Sequence, residues 1–219
     1  MRVKNINIKK TVTKAPTIYG DFWFFCFNVN GEEVLAISNK KYFRENVRLR
    51  LHSCCVTSEI FGCLKCDCSN QLEKFLTLMG KDKKNNYLLI YFLDHEGRGI
   101  GLFNKIMTIE VQRKLGLDTY EANEYFGFPV DCRDYTLAIP ILKHFKLKNI
   151  ILYSNNPTKI KFLREHGFKV RTHKLFTPPK SKDAVDYLYI KAIKGGHLIK
   201  PEVVKLINNL RDEQIKTRK

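Results

Sequence analysis

The chain has 219 residues, 44% of them hydrophobic with 15 Phe and 10 Tyr, which is ample for the core of one large domain without a disulfide scaffold. No signal-peptide run opens it and no stretch approaches the roughly 20 apolar residues of a membrane span, so a cytoplasmic, non-membrane protein is expected. Seven cysteines, an odd count, then read as thiols or metal ligands in a reducing compartment, and 39 basic against 22 acidic residues, a net +17, favour an anionic partner.

The first fifteen residues are basic and acid-free, as in an organellar presequence. Further basic excess lies in 143–171 and in the C-terminal tail, as lysines interleaved with Asn and Ile, the pattern of a solvated face rather than a binding groove. Apolar runs Tyr19–Val29 and Glu33–Ser38 flank Asn30-Gly31, a strong hairpin signal. Val47–His52 alternates Arg48 and Arg50 with Leu49 and Leu51 and leads into a cysteine-rich segment.

Three thiolates there, Cys55, Cys66 and Cys68, would hold a tetrahedral zinc and leave its fourth position for water, as in catalytic sites. Cys63, three residues from Cys66, could instead close a four-thiolate structural knot; Cys54, adjacent to Cys55, is less able to reach the same ion. The Cys-x-Cys spacing is tighter than the usual two-residue spacer, so spacing leaves catalytic, structural and metal-free readings open. His52 could be a ligand, a proton shuttle or a filled core position, and is not counted as a ligand.

Asp67 or Ser69 caps a predicted helix to about Met79, with Leu72, Phe75, Leu76 and Met79 on one face and Gly80 ending it. Tyr87–Leu93, continuously apolar, predicts a strand buried on both faces. It runs into Asp94-His95-Glu96-Gly97-Arg98-Gly99-Ile100-Gly101 and a helix to about Leu115 that Gly116 stops. Asp131-Cys132-Arg133-Asp134 is placed at the start of a helix ending near Phe145, where an acidic cap and a salt-bridged arginine are the plain reading. A second strand-to-helix junction runs from Asn149–Ser154 into Asn155-Asn156-Pro157-Thr158-Lys159, with Pro157 in the first helical turn.

Strands alternating with helices predict an α/β fold, a mixed sheet flanked by helices with an N-terminal antiparallel hairpin. One domain is expected over 1–200, and 201–219 reads as a basic amphipathic helix. Both strand-to-helix junctions can present helix-start N–H groups to a phosphate, with Arg98 and Lys159 supplying charge. Gly97-x-Gly99-x-Gly101 is not the dinucleotide fingerprint, because its third glycine comes one residue early.

Taken together, the segments Arg50-x-His52-Ser53-x-Cys55, Cys66-Asp67-Cys68 with Gln71, His95 to Leu102, Asn104-Lys105-Ile106, Asp118-Thr119-x-Glu121-Ala122-Asn123, Val130-Asp131-x-Arg133 and Asn155-Asn156-Pro157-x-Lys159 carry a resemblance. The chain resembles GTP cyclohydrolase II, the family of the first committed step of riboflavin synthesis, in the same order from about Ile8 to Lys200. The resemblance implies zinc on Cys55, Cys66 and Cys68, activating the water that attacks C8 of guanine. It implies GTP contacts from Arg50, Gln71, Glu96, Gly97, Arg98, Thr119, Ser154 and Lys159, magnesium at the polyphosphate, and a homodimer. Arg133 is implied as a nucleophile toward the α-phosphate, expelling pyrophosphate, with Asp131 as its base; formate and a diaminopyrimidinone are the other products. A match beginning near Ile8 speaks against a cleaved presequence. No dihydroxybutanone phosphate domain is expected, which leaves the cyclohydrolase step alone.

Two positions depart from the family pattern. Cys54 stands where the family usually has glutamate, and Ile109, in Lys105-Ile106-Met107-Thr108-Ile109, stands where it usually has a tyrosine associated with hydrolytic opening of the base. Ile109 shares a helical face with Leu102 and Ile106, which reads as a core substitution with activity preserved. The alternatives are a reaction that stops at the formylamino pyrimidine, lost activity or another purine substrate. A zinc-containing nucleic-acid-binding protein is the reading of a different class, motivated by the charge and disfavoured by the persistence of the nucleotide-contact positions.

Overall fold

A computed structural model describes residues 7–43 and 46–197, so the helix expected over 201–219 lies outside the described residues. Asn30 and Gly31 both take positive φ, 55° and 98°, as a two-residue hairpin requires, and join β2 (Gly20–Val29) to β3 (Glu32–Ser38). The basic stretch before them is a strand, β1 (Ile8–Thr17), paired antiparallel along all of β2. Its lysines sit on a sheet edge, where charge discourages pairing with another chain.

Next come β4 (Val47–Ser53), α1 (Val56–Glu59), α2 (Cys68–Lys81) and β5 (Tyr87–Phe92). A tight turn over Leu93–Gly99 leads to α3 (Gly101–Leu115), α4 (Thr119–Tyr125) and α5 (Ala138–His144). The chain closes with β6 (Asn149–Tyr153), α6 (Pro157–Glu165), β7 (Lys169–His173) and α7 (Lys182–Ile193). The seven strands form one sheet in the order β1-β2-β3-β5-β4-β6-β7. It is antiparallel from β1 to β5 and parallel from β5 through β4 and β6 to β7. The mixed α/β sheet with its N-terminal hairpin is therefore as the sequence pattern implies.

Strand β5 shows why the run 87–92 is apolar throughout. Leu88, Ile90 and Phe92 enter one core with Phe27 of β2 and Leu142 and Leu163 of α5 and α6. Tyr87 and Leu89 enter the other with Phe22, Phe75 and Met79, the last two from α2. Each fully buried side chain of this kind is worth about 1.5–3 kcal/mol, and the two cores clamp the sheet between helical layers.

Three expectations need correction. Gly80 does not end α2, which continues to Lys81; the glycine is there because a Cβ would lie 1.8 Å from the Tyr19 carbonyl oxygen, so α2 and the β1–β2 turn touch backbone to backbone. No helix begins at Asp131: residues 131–135 are irregular, α5 starts at Ala138, and Asp131 bonds Arg133 rather than capping. The face of Leu102 and Ile106 on α3 is not a core face, since they are 44% and 50% exposed and Thr108 is the buried residue of that helix. No helix among the described residues is long and apolar enough to cross a membrane.

Candidate active site

The parallel strands β4, β5 and β6 end side by side at Ser53, Phe92 and Tyr153, and the segments that follow carry the chemistry-bearing residues. Open α/β sheets bind ligands at these carboxyl ends. Two cavities lie there, of about 290 Å³ and 120 Å³. Ser53, Cys68, Arg98, Arg133 and Tyr187 line both, so they are two lobes of one site.

The smaller lobe holds the thiols. Cys55 caps α1, Cys66 precedes α2 and Cys68 opens it, and their three sulfurs lie within 4.8 Å of one another. Cys55 Sγ and Cys66 Sγ are 3.7 Å apart. Two sulfurs each about 2.3 Å from a tetrahedral zinc are separated by about 3.8 Å, so the trio fits that ion. Cys54 and Cys63 line the same lobe but are not among the three sulfurs that cluster within 4.8 Å. The thiols of Cys66 and Cys68 bond to Cys55 and hold it well below the ordinary thiol range, with the Lys105 ammonium adding to the effect; Cys66 and Cys68 are raised in turn.

Lys105 Nζ lies 3.2 Å from Cys55 Sγ and donates to Glu96 Oε1 at 2.6 Å and Thr57 Oγ1 at 2.8 Å. Burial works against the ammonium, but Cys55 and Glu96 outweigh it and keep Lys105 protonated. Glu96 also accepts from the Val56 N–H at 2.6 Å and the Cys54 thiol at 3.9 Å. Gly97, Thr119 and Ile109 line the same lobe. Arg98 follows with φ 62°, a left-handed conformation costing about 1–3 kcal/mol in a non-glycine residue. Its guanidinium stands 4.1 Å over the Tyr120 ring, and its carbonyl accepts from Cys132 N at 2.9 Å, a close approach that a side chain on Gly99 would obstruct.

The larger lobe is strongly cationic. Arg50, Arg98, Arg133, Lys159, Lys191 and Lys194 line it against one carboxylate, Asp131. That carboxylate is committed: it accepts from Arg133 Nε at 2.8 Å and from the terminal guanidinium nitrogen at 2.5 Å. Burial tends to raise Asp131, but Arg133 overrides it and keeps it below the usual carboxylate range. Lys159 is 7% exposed and donates to the Leu51 carbonyl at 2.7 Å. Its burial, with Arg133 and Arg50 nearby, pushes its pKa well down. Ser154 Oγ accepts from Asn156 N at 3.1 Å, and the Asn156 side chain caps α6 through Thr158 N, so the junction opens into this lobe with Pro157 in the first turn as expected.

Arg50 is oriented by a buried relay that the sequence does not announce. Its Nε donates to His52 Nδ1 at 2.9 Å, which leaves His52 Nε2 to donate to Glu59 Oε1 at 2.7 Å, and Tyr91 donates to the other Glu59 oxygen at 2.5 Å. A terminal Arg50 nitrogen donates to Gln71 Oε1 at 2.7 Å. Burial lowers the Arg50 pKa to about 10 and raises that of Glu59 to about 7. His52 is thus neither a metal ligand nor core filler. Every site residue carried over by the resemblance lines one lobe or the other. The resemblance gives no role to Lys105, although it falls within Asn104-Lys105-Ile106, nor to Glu59, Tyr91 and the α7 residues Tyr187 and Lys191, which carry no local motif.

A model of the family described as GTP cyclohydrolase II matches residues 8–174. The chain belongs to the GTP cyclohydrolase II family. It is 39% identical over 201 residues to GTP cyclohydrolase-2 of Archaeoglobus fulgidus, covering 90% of this chain and 52% of that protein. It is 37% identical over 191 residues to the riboflavin biosynthesis protein RibBA of Staphylococcus aureus strain N315, covering 87% and 47%. The chain thus spans about half the length of these two relatives. Against GTP cyclohydrolase-2 of Picrophilus torridus it is 36% identical over 187 residues, 84% of this chain and 95% of that one. A solved two-domain 3,4-dihydroxy-2-butanone 4-phosphate synthase, RibBX of A. baumannii, overlaps loosely, with a TM-score of 0.40 and 14% identity over 80% of this chain and 42% of that one. Within the GTP cyclohydrolase II family assignment, α7 lies beyond the matched segment although it walls both lobes.

Proposed function

We propose that the protein hydrolyses GTP with zinc, opening the guanine imidazole ring at C8 and releasing pyrophosphate and formate, as the first step of riboflavin biosynthesis. The observation that carries this reading is the junction of the two lobes: a thiol trio fit for zinc adjoins a pocket of six cations built for a polyphosphate. Base and triphosphate would lie across Cys68, Arg98 and Arg133, which face both.

Zinc on Cys55, Cys66 and Cys68 would supply a Lewis acid and an acidified water near neutral pH. The chain's own groups divide the remaining work. Lys105 holds charge beside Cys55 and fixes Glu96, while Arg98, Thr119 and Gly97 bound the space for the base. Arg50, Gln71, Ser154 and Lys159 take the phosphates. Arg133 would attack the α-phosphate, forming an N–P bond as pyrophosphate leaves; Asp131, in contact with the guanidinium, would take its proton, and water would then cleave the N–P bond to free the product. Magnesium travels with the nucleotide, because the one carboxylate of the lobe is already spent on Arg133, and this ion is commonly held by substrate phosphates and water.

A second reading of the product has its own observation. Ile109 lines the thiol lobe and offers no proton donor, and the neighbouring Thr108 hydroxyl donates to the Lys105 carbonyl at 2.8 Å. The reaction would then stop at the formylamino pyrimidine. Mass identification of products from GTP with zinc and magnesium tests the function, and formate is quantified against pyrophosphate in the same assay. Equal amounts support complete hydrolysis; pyrophosphate without formate supports the truncated reaction; no consumption of GTP overturns both.

The protein also acts as a homodimer in this reading. Ile60 and Phe61 beside α1 and Phe103 and Ile106 on α3 are 70%, 77%, 78% and 50% exposed, large apolar side chains that a partner subunit would cover. A monomeric mass by light scattering at micromolar concentration would remove it.

A further inference from the structure

The turn that ends α7 is held against the site by close packing. His197 N donates to the Lys191 carbonyl at 3.1 Å. A Cβ on Gly195 would meet the Tyr120 hydroxyl at 2.5 Å and the Lys191 carbonyl at 2.8 Å. Lys194 is fastened to α4, with Nζ 2.5 Å from Asp118 Oδ2 and 3.0 Å from Glu121 Oε1. Its charge is therefore used to place the turn.

Lys191 is different. Its side chain is 13% exposed, stands 4.1 Å over the Tyr187 ring and reaches Asp67 Oδ1 only at 3.3 Å. Asp67 sits between Cys66 and Cys68 and is also bonded by the Gln71 side chain, so Lys191 meets the thiol segment on one side and the cationic lobe on the other. An ammonium has three donors, and this contact uses one. A purely structural lysine would serve to pin α7 to Asp67, yet this one also lines a cavity with five other cations, where an incoming anion would meet its free donors. His197 reports the same field: burial, then Lys191, Lys159 and Arg133, push its pKa to about 3.

We propose that α7 is a substrate-binding element and that Lys191, while keeping Asp67, donates to a phosphate of the bound nucleoside triphosphate. This rests on the GTP reading of the site. Lys191 would thereby couple occupancy of the phosphate lobe to the segment that carries Cys66 and Cys68.

The test is calorimetric titration of the zinc-loaded full chain with inorganic tripolyphosphate, which needs no turnover, beside GTP turnover, which tests the underlying reading separately. Lys191→Met should weaken tripolyphosphate binding about 10- to 150-fold, the worth of one charge-assisted hydrogen bond, with zinc content unchanged. Lys191→Arg should restore binding to within a few-fold. Gly195→Ala, which displaces the turn without removing a charge, should weaken binding several-fold in a chain with native circular dichroism. Unchanged affinity in Lys191→Met overturns the proposal, and so does loss of zinc from it, which would assign Lys191 to holding the thiol segment through Asp67. Should Lys191→Met fail to fold, unchanged affinity in Gly195→Ala overturns it instead. Wild type that binds tripolyphosphate but spares GTP would refute the GTP reading and leave the lysine result standing.

Discussion

Replacing Lys159 by methionine separates binding from stability. The ammonium is 7% exposed, bonded to the Leu51 carbonyl at 2.7 Å and 5.1 Å from the centre of the Tyr135 ring, with no ion-pairing carboxylate among the described residues. Methionine relieves several kcal/mol of desolvation. It forfeits a charge-assisted hydrogen bond of about 1.5–3 kcal/mol and a cation–π contact of about 1–2 kcal/mol. These nearly cancel, giving a net change in stability between about −2 and +1 kcal/mol, or about −8 to +4 °C in Tm at 2–4 °C per kcal/mol for a chain of this size.

The same substitution removes a phosphate donor, which should weaken GTP about 10- to 150-fold. The pH dependence has a defined sign. The Lys159 pKa is lower folded than unfolded, so between the two values the unfolded chain binds more protons and stability rises with pH. Ligand-free wild type should gain Tm relative to Lys159→Met as pH climbs from neutrality toward 10. Calorimetric melting across pH and steady-state KM measure both arms. A Tm loss above about 8 °C, or a KM within threefold of wild type, refutes the reasoning that Lys159 is a strained charge kept for an anion.

Cys55→Ser should lose zinc by elemental analysis and lose ring opening of GTP; a variant that still opened the ring would sink the zinc assignment. Glu59→Gln should flatten a pH effect: the carboxyl pKa is raised from 4.5 to about 7 by burial, so its stabilising contribution is full below 4.5 and fades as pH rises through 7. Melting curves should show the Tm of wild type falling relative to the variant over that interval. Gly80→Ala gains about 1 kcal/mol of helix propensity but sets a methyl 1.8 Å from the Tyr19 oxygen. Overpacking of about 1–3 kcal/mol or more should win, and any rise in Tm would show that the turn yields freely.

The sheet was legible where one local rule decided each element. Asn30-Gly31 forces a left-handed pair, 87–92 is apolar because both faces are covered, and Pro157 and Gly116 mark a helix start and a helix stop. The failures share a physical cause. Strands β1 and β7 lie at the two edges, with one neighbour each and mostly exposed side chains, so no apolar alternation is written into them. Gly80 resembles a helix stop because a glycine needed for close approach and one needed for a left-handed turn are the same letter. Leu102 and Ile106 recur at helical spacing, which reports an apolar face without saying whether the core of the same chain covers it.

The site divides in the same way. The thiols could be listed from sequence, yet which three of them draw together is set only by folding. The cationic lobe has no single motif: Arg50, Arg98, Arg133 and Lys159 fall in four separate ones, and its cations come from β4, the glycine turn, the segment before α5, α6 and α7 with its turn. Each alone is a surface-type residue, and their meaning lies in convergence. This also decides what the net charge of +17 says. Lys9, Lys10 and Lys14 belong to one edge strand and Lys169 and Arg171 to the other, where charge protects the edges. The buried cations without an ion-pairing carboxylate among the described residues, Arg50 and Lys159, line one cavity at the ends of β4, β5 and β6. A chain built to grip nucleic acid would spread its charge along an open face, where a long strand could reach it; this one gathers six cations in a cleft of about 290 Å³, the scale of a few phosphates.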